Sequence, residues 1–304
     1  MSAIFEDAPA LPRWLENELP FRRRVAVIDG RRIHFIDEGA GTPVVLMHGN
    51  PTWCFVWRKV IARLRDRGGL RLIAPDLLGL GLSDKLPSPS DHRLELHAQA
   101  IASLLDALEL DRAVIAAQDW GGPIGVGAAM LRSASRPDFL RGLVLGNTAV
   151  LEPKRPLRTT TFHRFSRLPL ASEIAFRGAL FPVPVLHRVQ GDARSIGPRE
   201  KAAYAWPLRR FRDRAAPLGL ARMVPDREDH PSVPFLDRLG AFVRAYRGPA
   251  ALVWGERDPI LGRALARHRE ALPQATVEVT NAGHFLQEEV PDELAHAIRA
   301  VAGL

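Results

Sequence analysis

Four short stretches carry residue types whose combination points to chemistry. Ala117-Gln118-Asp119-Trp120-Gly121 follows an apolar run at 113–117. Small residues on either side of Asp119 suit a sharp strand-to-helix turn that lifts the central side chain clear of its surroundings. A carboxylate in that position suits attack on saturated carbon. Attack on an acyl group would give an anhydride, whereas displacing a leaving group from tetrahedral carbon gives an ordinary ester. Asp258, in Trp254-Gly255-Glu256-Arg257-Asp258-Pro259, and His284, in Asn281-Ala282-Gly283-His284-Phe285, each lie just past a further apolar run. A histidine oriented by an aspartate can deprotonate water to cleave such an ester. The fourth stretch, His48-Gly49-Asn50-Pro51-Thr52-Trp53, offers the Asn50 backbone N–H, which with that of Trp120 would stabilise an oxyanion. The Trp120 indole donates only, and the Asn50 side-chain amide adds further N–H groups, so both can hold negative charge on a departing group.

These residues need a scaffold that brings strand ends together. Residues 24–29 and 32–37 alternate apolar and polar around Asp29-Gly30, which predicts a hairpin. Runs at 44–47, 70–74, 113–117 and 143–145 read as buried strands, separated by helical patterns at 55–67, 92–108 and 121–133. The rhythm resumes with strands at 250–254 and 276–279, a helix near 260–272 and a last helix at 292–301. Strand, helix, strand in this order implies crossovers and a mostly parallel sheet, whose ligands bind beyond the carboxyl ends of the strands. The stretch 151–230 is rich in proline and arginine, with broken helical periodicity and no convincing strand. It predicts a helical cap inserted between two strands, over a core formed by 1–150 and 231–304. The chain order of nucleophile, acid and histidine is that of an α/β-hydrolase fold.

HGNPTW, QDWGG, WGERD and NAGHFLQEE together resemble the haloalkane dehalogenases, in order and spacing, from about residue 24 to 302. The resemblance is weakest in the cap. It implies Asp119 as nucleophile, His284 as base, Asp258 as the third catalytic residue, and Asn50 with Trp120 as the halide-stabilising pair. A second branch of that family carries a glutamate at the end of the strand before the cap; here that position is Asn147, so the acid role falls to Asp258. The implied reaction turns a small halogenated aliphatic substrate into an alcohol, a halide product and a proton. It needs neither metal nor organic cofactor.

Each residue also has a plainer reading. Asp119 and Asp258 could cap helices, His284 could be a core histidine, and Asn50 could steady its turn. Glu256 is a rival to Asp258, while His48 is expected to orient its loop. Trp53, Trp57 and Trp254 read as packing, and Gly79-Leu80-Gly81-Leu82-Ser83 as a turn. Phe162, Phe165, Phe176, Phe181, Leu186 and Trp206 are candidate cap linings, of which half face the core in the plainest case. Two rival functions remain open. An epoxide hydrolase of the same fold would need tyrosines over the site, and the chain has only Tyr204 and Tyr246. A non-catalytic small-ligand-binding protein would leave the catalytic positions unexplained.

Composition narrows the classes. At 304 residues, 46% hydrophobic and 25% charged, the chain is an ordinary globular one. One cysteine, Cys54, excludes an internal disulfide and a cysteine cluster for zinc. With no apolar run of membrane length and no secretory pattern, a cytoplasmic location is expected. The net charge of +8 arises entirely in 151–230, with 16 Lys/Arg against 8 Asp/Glu. The arginines there are scattered rather than blocked, which predicts a solvated basic face and no nucleic-acid partner. No membrane partner is expected, and homo-oligomerisation stays open.

Overall fold

The computed structural model describes residues 3–304. Nine strands form one sheet: β1 (Ile4–Asp7), β2 (Arg23–Ile28), β3 (Arg31–Gly39), β4 (Thr42–Met47), β5 (Leu70–Pro75), β6 (Ala113–Asp119), β7 (Leu140–Thr148), β8 (Ala250–Gly255) and β9 (Thr276–Thr280). Their order is β1-β2-β3-β5-β4-β6-β7-β8-β9. From β5 to β9 neighbouring strands run parallel, and β1, β2 and β3 extend the sheet antiparallel. The expected α/β-hydrolase architecture is therefore present. The hairpin turns through Asp29-Gly30, both at positive φ, as the alternation required. β1 was not foreseen, because four residues are too few to show a period and their partner lies some twenty positions on.

The central strands bury side chains on both faces, which is why they read as continuous apolar runs. Helices Arg58–Arg65, Leu94–Ala107, Gly121–Ser133 and Pro291–Ala302 cover them. Gly121 opens its helix with its Cα against the Met47 and His48 carbonyls, where a Cβ has no room. That close approach packs the helix start directly onto the end of β4.

Between β7 and β8 the chain forms a series of short helices, including Thr161–Phe165, Pro198–Ala205 and Ala215–Arg222, then the longer helix Val233–Ala245, and no strand. Short helices leave many carbonyls without partners, and the local arginines supply donors. Arg214 reaches the carbonyls of Leu208, Arg177, Gly178 and Arg209, and Arg167 those of His163, Arg222 and Val224. Others pair with acids, as Arg155 does with Glu228 and Asp237. The basic excess thus serves the internal bonding of this insert as well as its surface. Among the described residues, no helix is long and apolar enough to cross a membrane.

Candidate active site

Asp119 ends β6 at φ +52°, a left-handed conformation that an aspartate adopts at a cost. The turn is held from outside. Thr148 Oγ1, on β7, donates to the Asp119 carbonyl at 2.6 Å. Gly49 leaves room for the carboxylate, which a Cβ there would strike. The Asn50 N–H donates to Asp119 Oδ1 at 2.8 Å. In this resting geometry the Trp120 N–H makes no hydrogen bond with that carboxylate.

His284 and Asp258 stand beside it. His284 Nδ1 lies 2.9 Å from Asp258 Oδ2, and Nε2 lies 3.5 Å from Asp119 Oδ2. Both His284 and Asp258 are buried. Burial alone would push His284 down, but the Asp258 charge and the two carboxylates bonded to its ring outweigh it and lift the imidazole to about 10. Burial likewise raises Asp258, and the opposing His284 charge and the Ile260 N–H, at 2.7 Å, leave it below its ordinary value.

Two residues complete the arrangement in ways the motifs did not announce. Asn147, at φ +35° near the end of β7, donates to Asp258 Oδ2 at 2.8 Å and to the Gly283 carbonyl at 3.1 Å, and accepts from the Gly255 N–H. Gln118 donates to the His284 carbonyl at 3.0 Å. The signal for Asn147 was its place at a strand end. For Gln118 there was none beyond adjacency to Asp119.

A cavity of about 420 Å³ opens above Asp119. Asn50, Trp120 and His284 share its floor, and Phe162, Phe181 and Leu186 of the insert line its walls. Of the other expected linings, Phe165 and Phe176 pack into the insert's own aromatic cluster, and Trp206 packs on Trp14. The Asn50 side chain donates to the Pro217 carbonyl at 3.0 Å, so one of its two amide hydrogens ties the loop to the insert. Glu256 is exposed, away from His284, and Asp258 takes the contact. His48 is buried and accepts from the Leu77 N–H, as a loop-orienting residue should. Tyr204 donates to buried Glu288, and Tyr246 to the Pro249 carbonyl, so neither faces the cavity. The Gly79–Ser83 turn wraps the carboxylate of Asp76 rather than forming a phosphate loop. Among the described residues one buried trio, His34, Cys54 and Asp76, has the atom types of a metal site. The Asp76 oxygens are already occupied by His34 Nδ1 and the N–H groups of Cys54 and Leu82.

The chain is similar to known proteins over most of its length. A family model described as alpha/beta hydrolase fold matches residues 42–291. Haloalkane dehalogenase 2 of Mycobacterium tuberculosis is 36% identical over 301 residues, covering 92% of this chain and 94% of its own. The chain belongs to the haloalkane dehalogenase family. Among solved structures, haloalkane dehalogenase DbeA of Bradyrhizobium elkani superposes with a TM-score of 0.81 at 26% identity, covering 93% of this chain and 98% of its own. A more distant relative, cis-3-alkyl-4-alkyloxetan-2-one decarboxylase of Shewanella oneidensis, is 29% identical, covering 94% of this chain and 89% of its own.

Proposed function

We propose that the protein hydrolyses carbon–halogen bonds of small haloalkanes, with Asp119 as nucleophile. The observation that carries this reading is the Asp119 carboxylate at the cavity floor, with one oxygen held by the Asn50 N–H and the other facing His284. The stretch 151–230 acts as the cap that walls the cavity and excludes water.

In the first step an Asp119 oxygen pair forms a bond to the halogen-bearing carbon, and the carbon–halogen pair leaves with the halide. The Trp120 indole N–H and the remaining Asn50 amide hydrogen receive the developing charge, each worth roughly 2–4 kcal/mol of barrier by the scale of oxyanion-hole donors. Alkylation then removes the Asp119 charge, one of the two that hold His284 protonated. Its proton affinity falls, and the imidazole becomes a base backed by Asp258. It takes a proton from water, whose oxygen attacks Asp119 Cγ. The Asn50 and Trp120 backbone N–H groups hold the oxyanion, and collapse expels the alcohol and regenerates the carboxylate. Halide and one proton complete the balance.

The epoxide hydrolase reading loses its proton donors, because neither tyrosine reaches the cavity. The decisive experiment is His284→Phe incubated with 1-bromohexane. Intact-mass analysis should find one hexyl group added, on the peptide holding Asp119. A folded variant that never gains this mass would overturn the assignment of the nucleophile.

A further inference from the structure

We propose that His163 makes this site select haloalkanes bearing a neutral oxygen, a hydroxyl or ether, on the tail remote from the halogen. The inference rests on the dehalogenase reading above and extends it to the substrate's other end.

The cavity has two polar regions. One is the floor around Asp119. The other, on the insert side, consists of Thr160, Thr161 and His163, with Phe181, Pro182, Val185 and Leu186 among the apolar lining residues. Thr160 and Thr161 are exposed and so mark the open side, while His163 is half-buried between them and the interior. Thr160 caps the short helix: its Oγ1 accepts from the His163 N–H at 3.4 Å and lies 2.8 Å from His163 Nδ1. The hydroxyl can accept from the backbone and donate its own proton to Nδ1, and we assign the pair so. A neutral imidazole that accepts at Nδ1 carries its hydrogen on Nε2. Among the described residues, Nε2 has no hydrogen-bond partner.

The ring is neutral at ordinary pH, since burial pushes it down to about 4, with the Arg167 charge adding to the effect and Asp119 opposing it. An N–H donor of this kind suits an uncharged oxygen. It does not suit a carboxylate, because Arg167, the cation whose charge acts on it, is committed to Asp226 at 2.7 Å and to backbone carbonyls. An all-carbon tail would fill the same space while leaving Nε2–H without an acceptor, and a site built to bond an oxygen discriminates against the analogue lacking it.

The test compares 4-bromobutan-1-ol and 1-bromo-4-methoxybutane with 1-bromopentane, by bromide release. The wild type should favour the oxygenated members in kcat/KM by about tenfold or more. In His163→Phe the ratio should fall to about one, with the loss falling on the oxygenated substrates. His163→Gln, which keeps an N–H donor, should restore part of it. An unchanged ratio in His163→Phe, or an equal loss for all three substrates, would overturn the proposal. Should the wild type release no bromide from any of them, the dehalogenase reading fails, and calorimetry still decides the subsite. 1,6-Hexanediol should then bind more tightly than 1-hexanol to the wild type and equally to His163→Phe; equal binding to the wild type overturns the inference.

Discussion

Asn147 grips Asp258 from the neighbouring strand: its side-chain N–H donates to Asp258 Oδ2 at 2.8 Å, on the same oxygen that meets His284 Nδ1. The asparagine's own oxygen accepts from the Gly255 N–H, so its orientation is fixed by the end of β8. The carboxylate is thereby held in register with the imidazole, by a neutral group that adds no competing charge.

Replacing that grip should slow the hydrolytic half of the reaction. For Asn147→Ala we expect kcat to fall about tenfold to a hundredfold, the cost of one buried hydrogen bond to a charged group. The alkyl-Asp119 ester should accumulate, visible by mass in rapid-quench samples. Unaltered kcat would show that Asp258 holds its place without Asn147.

The proposed halide donors, Trp120 and Asn50, should affect the first half instead. Trp120→Phe keeps the aromatic ring and removes the N–H, so alkylation should slow by about a hundredfold or more. Inhibition by added bromide should weaken in parallel. Asn50→Ala should do the same and also lower thermal stability, because it cuts the tie to Pro217. If single-turnover alkylation by Trp120→Phe matches the wild type, the indole has no part in leaving-group stabilisation.

The charge on Asp119 should be legible in His284. Its imidazole is raised from 6.5 to about 10, with Asp119 among the causes. Asp119→Asn removes that anion, so the NMR titration midpoint of His284 should move down. The sign for stability follows: this group's contribution is complete below pH 6.5 and is lost as pH rises through about 10. A midpoint that stays put in Asp119→Asn contradicts the coupling on which the mechanism relies.

A buried pair of histidine rings should govern acid stability. His92 and His97 are buried and stacked, with Nδ1 of one 3.1 Å from Nε2 of the other, and His92 packs beneath Gly219 of the insert. Burial pushes His92 down to about 4 and His97 to about 3, with the His92 charge adding to the effect on His97. Both folded values lie below the unfolded 6.5, so the unfolded chain takes up protons first. The stability they confer is complete above pH 6.5 and drains as pH falls toward 4, by up to about 1.4 kcal/mol per pH unit for each ring. Thermal melts between pH 7 and pH 4 should therefore fall less steeply for His97→Leu than for the wild type. Parallel slopes would refute the assignment.

The motifs were legible because each is a local consequence of a strand end. Asp119 sits where a parallel strand must turn into a helix, and Gly121 sits where that helix touches β4. Such constraints act over a few residues and leave their mark in the sequence. The strand rhythm, the hairpin and the order of Asp119, Asp258 and His284 belong to this class. Tertiary packing alone decided the rest. It joined Asn147 to Asp258 across 111 positions, took Tyr204 to Glu288 instead of the cavity, and separated Phe162 and Phe181 on the wall from Phe165 and Phe176 behind it. It also brought His163 into the cavity of Asp119, from a five-residue helix whose own sequence has no period to read. Short irregular helices are oriented by what they pack against, so the face each side chain presents is fixed only by the packing of the whole insert on the sheet.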